Sequence, residues 1–236
     1  MRTLAVLPVK RYHAAKQRLA PLLPGGTREA LVEAMFSDVL RSLRHAERVD
    51  ATAVVTVDPL AQARVRAERV VLLEDPRQAG QSSAAAVGVA YALEEAYDRV
   101  LLVPGDTPLL DPTEVDALLD RAAAERLDAL FVPDRHGTGT NAVVLSPPDA
   151  LAPSFGPDSL ERHARGAEAA GLAYRVDEVE SLLYDVDTPE DLTELRGVLD
   201  SRRRLAPMTR GALFQLDRSR GTGAPSPPGG GDVVGV

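Results

Sequence analysis

The chain has 236 residues, 44% of them hydrophobic, and a formal net charge of −8, a length and apolar content that suit one α/β domain with or without a tail. The absence of Cys and Trp and the 4% aromatic content exclude a disulfide framework, a thiolate metal site and an aromatic platform for single-stranded nucleic acid, and the acidic balance argues against a general nucleic-acid binder. No apolar run reaches membrane-spanning length, and the N-terminus enters a strand pattern without a signal peptide, so a cytoplasmic protein is expected.

Residues 3–9 (TLAVLPV) read as a first buried strand, and residues 8–26 follow as a long loop punctuated by Pro and Gly. Loops of this length inside compact domains are usually functional. No Asp or Glu precedes Glu29, whereas Arg2, Lys10, Arg11, Lys16, Arg18 and Arg28 all fall in that opening. The chain has 25 Arg but only two Lys, Lys10 and Lys16, both in the acid-free opening. An ammonium is a compact point charge suited to phosphate, so the two lysines point to phosphate binding, against the alternative of a solvated basic face.

Thr27 is placed as the N-cap of a helix that puts Leu31, Ala34, Met35, Val39 and Leu43 on one face. Residues 51–57 make a second strand with Asp58 at its carboxyl end, a short helix covers 60–68, and residues 70–73 make a third strand. The run Gln78-Ala79-Gly80-Gln81-Ser82-Ser83 opens a helix reaching about residue 97. Small polar residues at a helix N-terminus suit capping, the simpler account, or a contact to an anion or nucleotide.

The central strand, 100–103, runs into Val103-Pro104-Gly105-Asp106-Thr107-Pro108-Leu109. In an open α/β sheet, ligands sit just beyond the carboxyl ends of the strands, which is where Asp106 lies. It either caps the next helix or faces a divalent metal carrying phosphates. Asp111-Pro112 starts a helix with Val115, Leu118 and Leu119 on its apolar face. A fifth strand, 129–132, leads to Asp134-Arg135-His136-Gly137-Thr138-Gly139-Thr140-Asn141. The Gly-Thr-Gly-Thr run exposes N–H groups able to hold a carboxylate or phosphate, or makes a hairpin turn; it is not a P-loop.

Residues 142–145 and 174–176 read as strands, with a helix starting near Ser159 between them. Residues 182–187 read as a strand whose Asp185 and Asp187 point the same way. Asp187 caps the helix opened by Thr188-Pro189-Glu190-Asp191, or one of the two carboxylates meets Asp106 across the sheet. Residues 201–236 hold six Arg, two Asp and a Pro/Gly-rich end. They read as a disordered tail beyond a domain of residues 1–200.

The basic loop, the central Asp and the late Asp-x-Asp-Thr-Pro-Glu-Asp-Leu together resemble the nucleotidyltransferase branch of the GT-A-type fold. The implied architecture is a single-domain, Rossmann-like α/β fold with a mostly parallel central sheet flanked by helices. Gly137-Thr138-Gly139-Thr140-Asn141 and Phe155-Gly156-Pro157-Asp158-Ser159-Leu160-Glu161-Arg162-His163 narrow the likeness, which spans about residues 1–200. They resemble the 2-phospho-L-lactate/phosphoenolpyruvate guanylyltransferase family of deazaflavin coenzyme biosynthesis.

That resemblance implies transfer of GMP from GTP to the phosphate of phosphoenolpyruvate or 2-phospho-L-lactate, with release of pyrophosphate. It implies Lys16, Asp106 and Asp187 as catalytic residues. Mg²⁺ would be held by Asp106 and by Asp187 or Asp185, Asp187 being preferred. Lys10, Lys16 and Arg18 would wrap the GTP phosphates, with nucleotide contacts from Gly80 and Ser82. Thr140, Gly156 by its backbone and Ser159 would hold the carboxylate end of the acid. The family often has Gly-Leu-Asn where this chain has Gly80-Gln81-Ser82, a departure at the nucleotide contact. The substrate phosphate is already ionised at neutral pH, so no histidine is needed as a base, and His163 is read as a structural hydrogen-bond donor. A homodimer and hand-over of the product to a downstream deazaflavin transferase are compatible with it, with no nucleic-acid or membrane partner. The rivals are a molybdopterin-cofactor guanylyltransferase, a sugar-1-phosphate nucleotidyltransferase, or a non-catalytic nucleotide-binding module. The two rival enzymes usually open with a Leu-Ala-Gly-Gly-type loop, which Leu7-Pro8-Val9-Lys10 does not match.

Overall fold

Residues Thr3 to Leu7 of β1 (Thr3–Val9) are all fully buried, because the strand carries apolar side chains to both faces of its sheet. Ala5 and Leu7 enter one core, and Leu4 and Val6 enter the other. The structure, a computed structural model, describes residues 1–68, 70–202 and 204–221. β1 is followed by two short 3-10 turns, α1 (Gly25–His45), β2 (Ala51–Thr56), α2 (Pro59–Ala67), β3 (Val71–Leu73) and α3 (Gln81–Glu94). Then come β4 (Arg99–Leu102), α4 (Pro112–Ala124), β5 (Ala129–Pro133), β6 (Thr140–Leu145), α5 (Ser159–Ala169), β7 (Tyr174–Val176), α6 (Pro189–Ser201) and α7 (Pro207–Gly221).

Among the described residues, seven strands form one sheet in the order β3-β2-β1-β4-β6-β5-β7. All pairings are parallel except those of β6, which runs antiparallel between β4 and β5. The expected mostly parallel, helix-flanked sheet is therefore present. β6 pairs Val143 with Leu102, so Thr140 and Asn141 extend past the carboxyl end of β4. One face is covered by α1, α4, α6 and α7, through residues such as Phe36, Leu118, Leu195 and Leu213. On the other face Ala85, Val89 and Ala92 of α3 and Ala167 of α5 are buried. The backbone of α3 comes so close to β1 that a Cβ on Gly88 would lie 2.2 Å from Val6. That approach holds the N-terminus of α3 over the same sheet edge as the ends of β1 and β2.

Two expectations are corrected and one of two open alternatives is removed. α1 begins at Gly25 behind Pro24, so Thr27 lies inside its first turn and does not cap it. Residues 182–187 are not a strand: a 3-10 turn, Glu180–Leu182, is followed by irregular backbone that joins the rest by Val186 N–H donating to the Asp106 carbonyl, 3.2 Å. α6 is capped by Thr188 in a reciprocal box with Asp191, not by Asp187.

The stretch expected to be disordered from residue 201 contains α7. Asp38 of α1, only 3% exposed, accepts from the N–H groups of Met208 (3.1 Å) and Thr209 (2.8 Å) at the start of that helix. Leu213 and Leu216 bury against the α1 side of the core, and Arg196 of α6 pairs with Asp217 in two bonds of 2.7 and 3.0 Å. The apolar seam is too narrow for composition to reveal it, and the cap comes from a distant residue. The rest of the expected tail, 222–236, lies outside the described residues. Among the described residues, no helix is long and apolar enough to cross a membrane.

Candidate active site

The parallel strands β3, β2, β1 and β4 end along one edge of the sheet, and a cavity of about 400 Å³ opens over them. Asp75 beyond β3, Val57 beyond β2, Lys10 beyond β1 and Asp106 beyond β4 line it. The loop after β1 is held in shape by its own backbone groups. Tyr12 N–H donates to Asp58 Oδ2 (2.9 Å), and the buried Arg28 guanidinium donates to the carbonyls of His13 (3.0 Å) and Ala15 (3.1 Å). Lys16 then adopts left-handed backbone, φ 53° and ψ 41°, a conformation uncommon for a side-chain-bearing residue and typical of functional turns.

This turn sends the Lys16 ammonium into the cavity, where it donates to Asp106 Oδ2 and, at 2.5 Å, to Asp187 Oδ1. Its side chain is 7% exposed. Burial alone would favour the neutral amine, but the two carboxylates outweigh it and push the Lys16 pKa up, so the group stays charged. Burial pushes the Asp187 carboxyl up as well, and the Lys16 charge more than offsets that and holds it below the usual range. Lys10 and Arg18 add to the lowering. Asp106 keeps one buried oxygen, Oδ1, that has no hydrogen-bond partner among the described residues.

Asp185 does not join this pair on Lys16. It lies beside Asn141, whose amide donates to Asp185 Oδ1 (3.2 Å) and to the Leu182 carbonyl (2.7 Å). Burial first, then the neighbouring Asp106 charge, push its carboxyl up to about 6. Irregular backbone, not strand alternation, therefore separates the two late carboxylates. Among the described residues, no three His, Cys, Asp or Glu side chains cluster as an all-protein metal cage.

Thr140, first residue of β6, and Ser159, first residue of α5, meet on the β6 side of β4, and neither is among the residues lining the cavity. Both are buried, and the Ser159 hydroxyl lies 3.1 Å from Thr140 Oγ1. His163 completes the cluster. Its Nε2 accepts from Ser154 N–H (2.9 Å), which puts the ring proton on Nδ1, 3.1 Å from Thr140 Oγ1. Since Nδ1–H occupies one lone pair of Thr140, one hydroxyl hydrogen of the Thr140–Ser159 pair is left to donate elsewhere. Gly156, with φ 116°, turns the chain into α5 in a conformation that side chains rarely adopt.

Of the remaining sequence candidates, Lys10 and Gly80 line the cavity, while Arg18 sits in an exposed 3-10 turn beside it. Ser82 follows the cavity-lining Gln81 and does not itself line the cavity. Its hydroxyl accepts from Phe155 N–H (2.8 Å), tying α3 to the segment before α5. Sequence reasoning passed over Asp75, which lines the cavity, and gave no role to Asn141. Asp75 carries no spacing signal, and Asn141 enters only as the last residue of the Gly-Thr-Gly-Thr-Asn run; the fold brings each to its partners.

Residues 3–200 match the family described as "Guanylyl transferase CofC like". A phosphoenolpyruvate guanylyltransferase of Conexibacter woesei is 50% identical over 93% of this chain and 98% of its own. A 3-phospho-D-glycerate guanylyltransferase of Phenylobacterium zucineum is 38% identical over 81% and 88%, respectively. A 2-phospho-L-lactate guanylyltransferase of Methanothermobacter thermautotrophicus is 34% identical over 83% and 84%. In fold, the chain resembles the crystal structure of a candidate nucleotide-diphospho-sugar transferase from Desulfovibrio desulfuricans. That likeness has a TM-score of 0.74 at 19% identity and covers 92% of this chain and 96% of the other.

Proposed function

The chain belongs to the family of CofC-like guanylyl transferases, and from that premise we propose that it transfers GMP from GTP to the phosphate of phosphoenolpyruvate. An oxygen of the acid's phosphate attacks the α-phosphorus, the bond from that phosphorus to the bridging oxygen of the β-phosphate breaks, and pyrophosphate leaves. A diphosphate bridge between acid and guanosine results. Half of all aligned positions are shared with a phosphoenolpyruvate guanylyltransferase, which favours that acid over 2-phospho-L-lactate or 3-phospho-D-glycerate.

The observation that carries the reading is the Lys16 ammonium bonded to both Asp106 and Asp187 over the carboxyl edge of the parallel strands. Catalysis of this kind needs no protein nucleophile and no strong base; it needs positioning and neutralisation of phosphate charge. Lys16 keeps its proton and supplies positive charge beside the α-phosphate. Lys10 and Arg18 flank the path of the outgoing pyrophosphate. Thr140 and Ser159, with one hydroxyl hydrogen free to donate, suit the carboxylate of the acid, and they lie beyond β4, on the side of Asp106 away from β1 and β2. The two substrates would thus approach Asp106 from opposite sides.

A magnesium ion fits these residues. Asp106 has an unpartnered buried oxygen, and magnesium is commonly held by one or two carboxylates together with substrate phosphates. Asp106 and Asp187 would hold it, and when bound it would neutralise phosphate charge. Asp185 stands near as a further carboxylate, engaged with Asn141.

The test is pyrophosphate release with GTP and Mg²⁺, offering the three acids in separate tubes and trapping the product with a linked enzyme. Release with phosphoenolpyruvate is expected. Silence with all three acids, in folded protein that binds GTP, would support a non-catalytic nucleotide-binding module and end this reading.

A further inference from the structure

The β3 end of the cavity holds a carboxylate that the chemistry above does not use. Asp75 follows β3, lines the cavity and is 4% exposed. Its Oδ1 accepts from Arg77 N–H at 3.0 Å, which shapes the turn leading to α3. Its Oδ2 and the Ser83 hydroxyl are both buried, and among the described residues neither has a partner of hydrogen-bond geometry. Burial pushes this carboxyl up, but the nearby Ser83 hydroxyl and the turn's N–H groups more than offset it, so Asp75 is ionised. The Ser83 hydroxyl is a donor close to this carboxylate, and a ligand with two adjacent donors would satisfy the acceptor capacity that remains.

Sheet order says which part of a ligand arrives there. β3 is the edge strand, and β2 and β1 separate it from β4. Strands about 4.8 Å apart put the end of β3 about 14 Å from that of β4. That span is comparable to the reach of an extended nucleotide from its α-phosphate to its base. A nucleotide whose α-phosphate lies at Lys16 and Asp106 therefore lays its sugar across β1 and β2 and brings its base toward Asp75. The lining contributed by β2 and α3 includes the apolar Val55, Val57 and Ala84 beside Gln78 and Gln81, and the apolar members suit the face of a base whose edge meets the carboxylate. Guanine presents two adjacent donors on one edge, N1–H and the exocyclic N2–H, and a carboxylate is the complement of that pair. Adenine and cytosine turn an acceptor ring nitrogen to the same place, against a negative oxygen.

We propose that Asp75 is the residue that selects guanine, accepting N1–H and N2–H of the base at the β3 end of the cavity. The assignment deepens the guanylyltransferase reading and rests on it. It has a consequence that a purely structural Asp would not share. In Asp75→Asn, one oxygen still accepts N1–H while the amide N–H opposes position 2 of the base. That pairing rejects guanine's amino group and accepts the 2-oxo group of xanthine.

The experiment measures pyrophosphate release by the full chain with GTP, ITP and XTP, using the acid that the unaltered enzyme accepts. The unaltered enzyme should prefer GTP to ITP, which lacks N2–H, by about 10-fold or more. Asp75→Asn should lose at least 10-fold in kcat/KM with GTP and gain activity with XTP. Asp75→Ser, which can still accept from the turn N–H, should use GTP and ITP about equally. An unchanged GTP, ITP and XTP ranking in either folded variant overturns the assignment, and so does an unaltered enzyme that uses GTP and ITP equally. Silence of the unaltered enzyme with GTP and every acid would instead strike the parent reading.

Discussion

The ammonium of Lys16 lies 2.5 Å from Asp187 Oδ1 while it also bonds to Asp106, so one cation ties the basic loop after β1 to both acidic segments. Neither acidic segment reaches Lys16 by strand pairing. The β1 loop arrives through a left-handed turn at Lys16 itself, and the Asp187 segment arrives through irregular backbone bonded to the Asp106 carbonyl. Three loops thus converge on one charge, which makes the loop conformations, and not only the residue types, a requirement of the site.

Replacing Lys16 by Met should lower kcat by about 10²–10³-fold, the usual loss when a group that stabilises developing charge is removed. The loss of stability should be modest, because the Asp187 side chain is 50% exposed and its pairing is screened by water. Pyrophosphate-release rates and a urea melt on the same preparation check both parts. Near-parental turnover would remove Lys16 from the chemistry.

Asp106→Asn preserves shape but withdraws the carboxylate whose second oxygen is unpartnered. Chelation should silence the enzyme and added Mg²⁺ should restore it. The Asn variant should need far more Mg²⁺ for half-maximal rate, or show no turnover, while its melting behaviour stays close to the parent's. Asp187→Asn should act in the same direction. A titration with unchanged Mg²⁺ demand in both variants would exclude these carboxylates as ligands.

Much of this arrangement can be read from residues alone, and the gaps have physical causes. β1 was legible to the residue because seven successive positions carry an apolar or β-branched run. Asp111-Pro112 announced α4 by cap and first-turn proline together, and Asp111 does accept from Thr113 N–H. Residues 183–187 misled because an apolar–acid alternation looks the same in a half-buried strand and in a loop whose acids turn to different partners. Asp187 reaches Lys16 and Asp185 meets Asn141. Asp75 was invisible for another reason: its importance comes from the edge position of β3 and from an unmatched oxygen, and neither has a sequence pattern.

α7 depends on a cap from another helix, which gives a clean stability test. Asp38→Ala removes the acceptor for the Met208 and Thr209 N–H groups and should cost about 1–2 kcal/mol, in the range of lost helix caps. Asp38 does not line the cavity, so kcat with saturating substrates should hold. Denaturant melts and initial rates read the two effects separately. Unchanged stability would mean that α7 does not draw on this cap.

His163 provides the pH test. The ring is 1% exposed, stacked on Phe131 with centroids 5.3 Å apart, and its Nε2 already accepts from Ser154 N–H. Burial first, then the nearby Arg162 charge, push its pKa down to about 4, so the folded state holds it neutral. An unfolded chain would protonate it near 6.5. Between those values the unfolded state binds more protons, so stability rises with pH through that window and is lost as pH falls from about 6.5 toward 4. The full effect of one such residue is about 3 kcal/mol at most. Replacement by Asn, whose amide can still donate to Thr140, should lower stability at pH 7 and flatten this part of the slope. Other carboxylates contribute to both proteins alike, so the difference between parent and variant across pH 7 to 4.5 isolates the histidine. Parallel curves in urea melts would show that His163 enters the folded state already able to take a proton, and the tautomer assigned to the Thr140–Ser159 cluster would fall with it.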